Sequence, residues 1–461
     1  MTEQNYKKKL IEVALPLEAI NAASAREKSI RHGHPSTFHL WWARRPLAAC
    51  RAILFAQLVD DPSSHPEKFP TEEEQEIERQ RLFKIIEDLV IWENSTNQEV
   101  LEKATTEIKK SCGGSLPKVY DPFSGGCSIP LEAQRLGLPS RGSDLNPVAV
   151  LIGKTSLEIP AKYRNVKPVN PDGPQRLQYD RAEGLAEDVL YYAQKLNNLA
   201  WNKLSHLYPQ VKLPDQFGGE NATVMSWLWV RTVRSPNPAV SGAHTPIAST
   251  YWLCKKKKKT VWAKPIIEGT KVRFEVQYSV PNDAEMVQSG NKVGRGANFR
   301  CLLTGDTITA DYVKEEGMAG RMGWQLSAIV VASKKGRIYV DPSKEQEELS
   351  LSQKAEWKPE QLLSTHSQYM SVTNYGPRTI GDLFMERQAI TLDTFSSLVS
   401  EVKSQIEYDA KNSIDNSAEY AEAIATYLGM SVSRLANRQS TSTFWDNGAE
   451  KIQQVFAMQA L

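Results

Sequence analysis

The segment Tyr120-Asp121-Pro122-Phe123-Ser124-Gly125-Gly126-Cys127-Ser128 constrains this chain more than any other stretch of it. KVYDPF reads as a short strand running into a turn and SIPLEAQRLG as a helix, so the small residues fall where a parallel strand hands over to a helix. Small residues there let backbone N–H groups approach a ligand closely. In an open α/β sheet the crevice at the carboxyl ends of the strands is where nucleotides sit. A phosphate loop of the GxxxxGK[ST] type needs a lysine after its last glycine; this segment has none, which disfavours ATP and GTP. S-adenosylmethionine carries no phosphate, and its sulfonium and ammonium groups favour a carboxylate nearby, such as Asp121.

A second acid follows at the right distance. SRGSD reads as another strand edge and NPVAVLIGKTSLEIP as another helix, completing a βαβα unit, and Asp144 stands 23 residues after Asp121. A carboxylate about 20 residues beyond the glycine loop can accept hydrogen bonds from both ribose hydroxyls, with Leu145 and Asn146 following it at the strand end. Alone, DPFSGG is also compatible with an ordinary tight turn; the spaced SDLNP argues for a nucleoside site.

The remaining chain divides by composition. Residues 17–29 and 46–59 have helical spacing, 71–110 read as two polar helices of a solvated insertion, and 161–180, with Pro168, Asn170, Pro171 and Pro174, as a linker before an amphipathic helix over 181–207. From 222 to 341, short runs rich in Val, Ile, Trp and Tyr predict β structure, and helices are expected at 379–390, 392–408, 414–428 and 447–460. The expected organisation is a head (1–70), a helical insertion (71–117), an α/β unit with linker and helix (118–220), a β-rich insertion (221–345) and a helical segment (346–461). With 56 basic and 54 acidic side chains, any nucleic-acid contact must be local. No window approaches a membrane span, the start lacks a signal-like core, and five scattered cysteines without a CxxC argue for a reduced, cytoplasmic protein.

DPFSGG followed by SDLNP resembles the cofactor motifs of amino-methylating DNA methyltransferases. The head, LIEVALPLEAINAASAREKSIRHGHPSTFHLWWARRPLAACRAILFAQLVDDP, is similar to the N-terminal domain, of unknown function, of adenine-specific DNA methylases containing a zinc ribbon. The likeness continues through VRSPNPAV, GRGANFRCLLTG, YVKEEGMAGRMG and GDLFMERQAITLDTFSSLV. The resemblance implies an incomplete Rossmann-like, S-adenosylmethionine-dependent methyltransferase core of α/β class, with a β-rich insertion and a helical C-terminal segment. It implies cofactor contacts from Asp121, Pro122, Phe123, Ser124, Gly125, Gly126, Asp144, Leu145 and Asn146. Thr37 and Trp41 are expected to line the methionine end.

The sequence departs from that family in three places. Methylating adenine requires a flipped base whose exocyclic amine is held by hydrogen-bond acceptors, work the family gives to an Asp/Asn-Pro-Pro-aromatic tetrapeptide. This sequence holds no Pro-Pro pair; Asp121-Pro122, Asn146-Pro147 and Asn237-Pro238 each lack the second proline. In the family the tetrapeptide lies beyond a segment resembling TFWDNGAEKIQQVFAMQAL, so the resemblance implies the front half of an enzyme, without catalytic residues and inactive alone, either a fragment of an interrupted gene or one half of an enzyme that a second polypeptide completes. At the ribbon positions stand Ser235, Val240, Cys301 and Thr304, and one thiolate cannot replace four, so no zinc is expected. Cys127 replaces a glycine, at a cost of about 1–2 kcal/mol if φ must be positive there, and its side chain is expected to narrow the cofactor groove.

Other features are open to plainer readings. Lys255 to Lys259, between Trp252 and Trp262, suit DNA phosphates or a solvated hairpin tip. His32, His34 and His39 lack an acidic or cysteine neighbour, which disfavours a metal. A different class, a non-catalytic DNA- or protein-binding subunit of a restriction or phage-defence system, remains the alternative, and an RNA-modifying enzyme would share the cofactor chemistry.

Overall fold

The computed structural model describes residues 6–174, 176–333, 336–366 and 370–455. The chain is mixed α/β and divides into two compact units, one of residues 1–194, 400–434 and 457–461, the other of 195–399 and 435–456.

In the first unit, α1 (Leu17–Glu27), the short α2 (Pro35–Phe38) and α3 (Leu47–Leu58) form the head. Helix α3 buries Leu47, Ala48, Cys50, Arg51, Ala52, Phe55 and Ala56, and leaves Ile53 and Gln57 exposed. Its first N–H groups, at Leu47 and Ala48, donate to the buried Glu27 carboxylate at 2.9 and 3.0 Å, which satisfies donors that a helix start leaves open. Helix α4 (Glu72–Val90) opens on a reciprocal cap between Thr71 and Glu74, and α5 (Gln98–Ser111) on Asn97. Leu82, Ile86, Leu89, Leu101, Ala104 and Ile108 join Phe55 and Ala56 in one core, so 71–117 is packed rather than solvated.

Strand β1 (Val119–Asp121), α6 (Ser128–Arg135), β2 (Ser140–Gly142) and α7 (Pro147–Gly153) follow in the expected order. The strands pair in parallel, Val119 with Ser140 and Asp121 with Gly142. Helix α6 lies against one face, where Ser140 Oγ donates to the Pro130 carbonyl at 3.1 Å. Asn146 caps α7 through the Val148 N–H at 2.9 Å, with Pro147 at the first turn. A π-type turn at 154–158 leads to α8 (Ile159–Lys162). The proline-rich stretch after it has no regular element, yet it is fastened: the fully buried Asp188 on α9 (Glu183–Leu204) accepts from the N–H groups of Val169 and Asn170 and from the Asn170 amide.

The second unit is mainly antiparallel. Short strands β3 (Val211–Lys212) and β4 (Asn221–Ala222) precede β5 (Val224–Arg234), β6 (His244–Ile247), β7 (Trp252–Lys256), β8 (Lys259–Glu268) and β9 (Lys271–Gln277). After α10 (Ala284–Ser289), β10 (Phe299–Arg300), β11 (Thr307–Ile308) and α11 (Ala310–Met318) come β12 (Gly323–Ser333), β13 (Gly336–Val340) and α12 (Lys344–Leu351). One sheet runs β13-β12-β5-β6 and another β7-β8-β9; Trp252, Trp262, Phe274, Val330 and Tyr339 belong to one core shared by strands of both.

Helix α13 (Glu386–Ala410) starts later than the expected 379, because 380–383 form a 3-10 turn in which Gly381 lies close to the Pro359 carbonyl. Helix α14 (Ser417–Ala436) belongs to the first unit through residue 434, and there Tyr420 donates to Asp188 at 2.6 Å. The helix expected over 447–460 is not formed in its described part. Trp445–Asp446 (β14) and Lys451–Ile452 (β15) make a hairpin instead, and 456–461 lie outside the described residues. Turn chemistry prevails: Asp446 Oδ1 accepts from Gly448 and Ala449 at 3.0 and 2.9 Å, and Glu450 takes φ +53°. Among the described residues, no helix is long and apolar enough to cross a membrane.

Candidate functional site

The glycine loop leaves β1 at Asp121, whose carboxylate accepts the Phe123 N–H at 3.1 Å and tightens the turn. Ser124 N–H donates to the Ser143 carbonyl at 2.9 Å, and Cys127 N–H to the Ser124 carbonyl at 2.7 Å. The loop is therefore tied to the end of β2. The decisive contact is at Asp144: Oδ2 accepts the Gly125 N–H at 2.9 Å and Oδ1 the Asn146 N–H at 2.9 Å. Each carboxylate oxygen keeps a second lone pair, so Asp144 retains acceptor capacity while holding the loop.

The segments that hold this carboxylate also carry exposed apolar side chains. Leu145 is 97 % exposed, Phe123 82 % and Tyr120 61 %, and Tyr120 Oη lies 3.0 Å from Ser143 Oγ. Exposed large apolar groups on the same loop and strand end as a carboxylate suit a ligand with both hydroxyls and an aromatic face. A cavity of about 540 Å³ lies on the β2 side, lined by Ser124, Cys127, Gly142, Ser143, Val150 and Lys154; neither Asp121 nor Asp144 lines it.

The head supplies the other wall. A Cβ at Gly125, where φ is +47°, would stand 2.6 Å from Trp41 Nε1, so glycine is required for the indole to lie there. Trp41 also stacks on Trp42, with centroids 4.5 Å apart. Arg44 Nη1 donates to the Gly126 carbonyl at 2.5 Å, and Ser128 Oγ to the Arg45 carbonyl at 2.9 Å. Thr37 is turned elsewhere: its hydroxyl donates to the His34 carbonyl at 2.6 Å and its own carbonyl accepts from Arg434. Among the described residues no hydrogen bond ties Thr37 to the loop. The structure thus brings Trp41 onto the loop together with Asp121, Ser124, Gly125, Gly126, Asp144 and Asn146. Pro122, Phe123 and Leu145 form the exposed rim.

Cys127 takes φ +62°, the conformation in which a side chain is strained. Its thiol packs in a cluster with Ile152, Met430, Phe38 and Trp41, and burial pushes its pKa up to about 11, so it is a neutral thiol rather than a nucleophile. It is buried rather than standing free in the groove at the loop, though it also lines the β2-side cavity. The histidines serve separate partners. His34 Nε2 meets Glu27 at 2.7 Å while Nδ1 accepts from Ser36, and His39 bonds the Leu40 carbonyl and Ser433 Oγ. Burial lowers the His39 pKa and keeps its ring neutral at pH 7. Among the described residues no group of three or more His, Cys, Asp or Glu is placed to hold a metal ion.

In the second unit, Cys301 Sγ lies 3.4 Å from Ser235 Oγ. Burial alone would raise this thiol, but hydrogen bonds with the Ser235 and Thr304 hydroxyls and the backbone of Leu303 and Thr304 outweigh it and lower the pKa. The lysine run is largely committed. Lys255 bonds Gln288, while Lys256 and Lys259 both pair with the buried Glu450, which also accepts from Tyr339 Oη at 3.0 Å. Those ion pairs account for a carboxylate whose pKa is lowered to about 2 although burial opposes it. Lys257 and Lys258 are left exposed at the hairpin tip. A larger cavity, about 670 Å³, is lined by Thr232, His244, Lys271, Trp324, Gln325 and Glu347; Glu347 there accepts the Leu326 N–H at 2.7 Å.

The sequence predicts Trp41 near the cofactor but does not reveal two contacts at the loop: Arg44 on Gly126, across more than 80 residues of chain, and the Trp41 indole as the reason for glycine at 125. Residues 14–85 match the family described as "Protein of unknown function (DUF1156)", which covers the head and most of α4. No curated protein and no solved structure matches the chain.

Proposed function

We propose that the chain is the S-adenosylmethionine-binding N-terminal part of an enzyme that methylates the exocyclic amine of adenine in DNA. The observation that carries the reading is the bond from Gly125 N–H to Asp144, which sets a carboxylate on the glycine loop at the carboxyl ends of two parallel strands. On this reading β1, α6, β2 and α7 are the opening of a Rossmann-like methyltransferase core. Asp144 accepts the ribose hydroxyls with its remaining lone pairs, Leu145 and Phe123 cover the base, and Trp41 closes the head side of the loop. Asp121 faces the cationic end. The cofactor, when bound, supplies a methyl group activated by its sulfonium.

The Asp/Asn-Pro-Pro-aromatic tetrapeptide that would accept from the adenine amine does not occur in this sequence. A second polypeptide carrying the catalytic half is proposed to supply it, with DNA as the shared ligand and the cytoplasm as the setting. Titration calorimetry of the full chain with S-adenosylmethionine tests the core of the reading. Saturable binding that Asp144→Ala abolishes is the expected result; no binding by the wild type refutes it. Methyl incorporation into DNA by this polypeptide alone is expected to stay at background, and turnover above background would overturn the need for a second chain.

A further inference from the structure

We propose that Arg44 anchors the carboxylate of the cofactor's amino-acid end, an inference that rests on the S-adenosylmethionine reading and assigns the loop a charge-selecting residue. Arg44 lies between α2 and α3 and covers Gly126: a Cβ at that glycine would sit 3.1 Å from Arg44 Cζ and 3.2 Å from Nε. Only Nη1 is used, on the Gly126 carbonyl at 2.5 Å. Nε and Nη2 are sealed from solvent and donate to nothing among the described residues.

Among the described residues, the charged and ionisable groups that act on Arg44 are committed elsewhere or neutral. Glu27, a carboxylate whose charge acts on Arg44, is spent on Leu47, Ala48 and His34. The neighbouring Cys127 thiol is neutral. Burial lowers the Arg44 pKa, an effect the nearby Glu27 charge only partly offsets, while arginine still stays protonated near neutrality. Nε–H and Nη2–H share one edge of the guanidinium plane, the edge that takes both oxygens of a carboxylate side by side. The cofactor carries one negative group. Its sulfonium and ammonium are repelled from this edge, so Arg44 also fixes which way round the ligand lies, with the amino-acid end toward the head and the ribose toward Asp144.

The test compares two probes on the full chain by calorimetry: S-adenosylhomocysteine, which keeps the amino-acid end, and 5′-methylthioadenosine, which lacks it. Wild type is expected to prefer the first by about ten- to a hundredfold, the range for a charged hydrogen-bonded pair. Arg44→Met is expected to erase that preference while leaving 5′-methylthioadenosine affinity unchanged, and Arg44→Lys to restore part of it. Circular dichroism and the melting temperature check that the variants fold; should Arg44→Met not fold, the Arg44→Lys ratio decides, and an unchanged ratio refutes the anchor. Equal losses for both probes, or an undiminished preference in Arg44→Met, overturn the role of Arg44 and leave the cofactor reading standing. Binding of neither probe nor S-adenosylmethionine by wild type sinks both.

Discussion

Removing Glu132 gives the sharpest test of how the glycine loop is held. Glu132 lies on α6, the helix that starts at the loop, and is 0 % exposed; Arg51 on α3 is 1 % exposed. Arg51 Nε donates to Glu132 Oε2 at 2.5 Å and its Nη1 to the Leu89 carbonyl at 2.5 Å, while Arg135 reaches the other carboxylate oxygen at 2.5 Å. Glu132→Ala strands Arg51 as a buried cation with one carbonyl for company. Breaking a buried pair from one side costs about 3–5 kcal/mol, which lowers a melting temperature by roughly 6–20 °C in a unit of this size. Scanning calorimetry of the full chain is expected to show that drop in the transition of the first unit. Because the penalty is an unpaired charge, Arg51→Met with Glu132→Leu is expected to recover most of it, through a favourable coupling of at least about 2 kcal/mol. A Glu132→Ala protein within about 1 kcal/mol of wild type, or a double variant no better than the sum of the singles, would show that the pair does not fasten the loop helix to the head.

Gly125→Ala places a Cβ 2.6 Å from Trp41 Nε1 in a left-handed backbone, so a loss of about 2–3 kcal/mol is expected by urea denaturation; a neutral result refutes the packing. At Cys127, with φ +62°, Cys127→Gly is expected to be about 1 kcal/mol more stable than Cys127→Ala, the reverse of their usual order. The Glu450 carboxyl is depressed to about 2 by its lysine and Tyr339 hydrogen bonds against the opposing effect of burial, so its stabilisation is full above the unfolded carboxylate range and drains away as pH falls from about 5 toward 2. The protection of the amides at Trp445–Ile452 against hydrogen exchange, relative to the intrinsic rate at each pH, is expected to fall over that window in wild type and to stay level in Glu450→Gln.

What the sequence revealed was local. The order strand, loop, helix, strand, helix over 118–160 follows from turn residues and caps separated by a few positions, and Asp144 was legible because a second strand end falls at a fixed distance from the first. The positive φ at 127 was readable as the price of a side chain where a glycine belongs. Contacts across long stretches of chain were not. Nothing in KKKKK names Glu450 as the partner of Lys256 and Lys259, about 190 positions away, and a run of lysines looks the same whether it meets a phosphate or a buried carboxylate. The C-terminal hairpin was missed although Asn447-Gly448 is a turn signal, because Ala449 to Leu461 has a helix-like composition. Residues 71–117 look solvated from their charge content. The buried stripe of α5, Leu101, Ala104 and Ile108, shows that the charged residues face outward around an apolar seam.

Asp188 bears on where this polypeptide can be cut. The stretch rich in proline ahead of α9 has the composition of a tether, yet its backbone amides at 169 and 170 and the Asn170 side chain are donors that make a water-free carboxylate tolerable, together with the phenol of Tyr420. A truncation boundary or an inserted tag there would deprive that acid of its donors and should yield insoluble fragments, whereas the solvent-facing turn at Lys257 and Lys258 offers a harmless place for the same insertion.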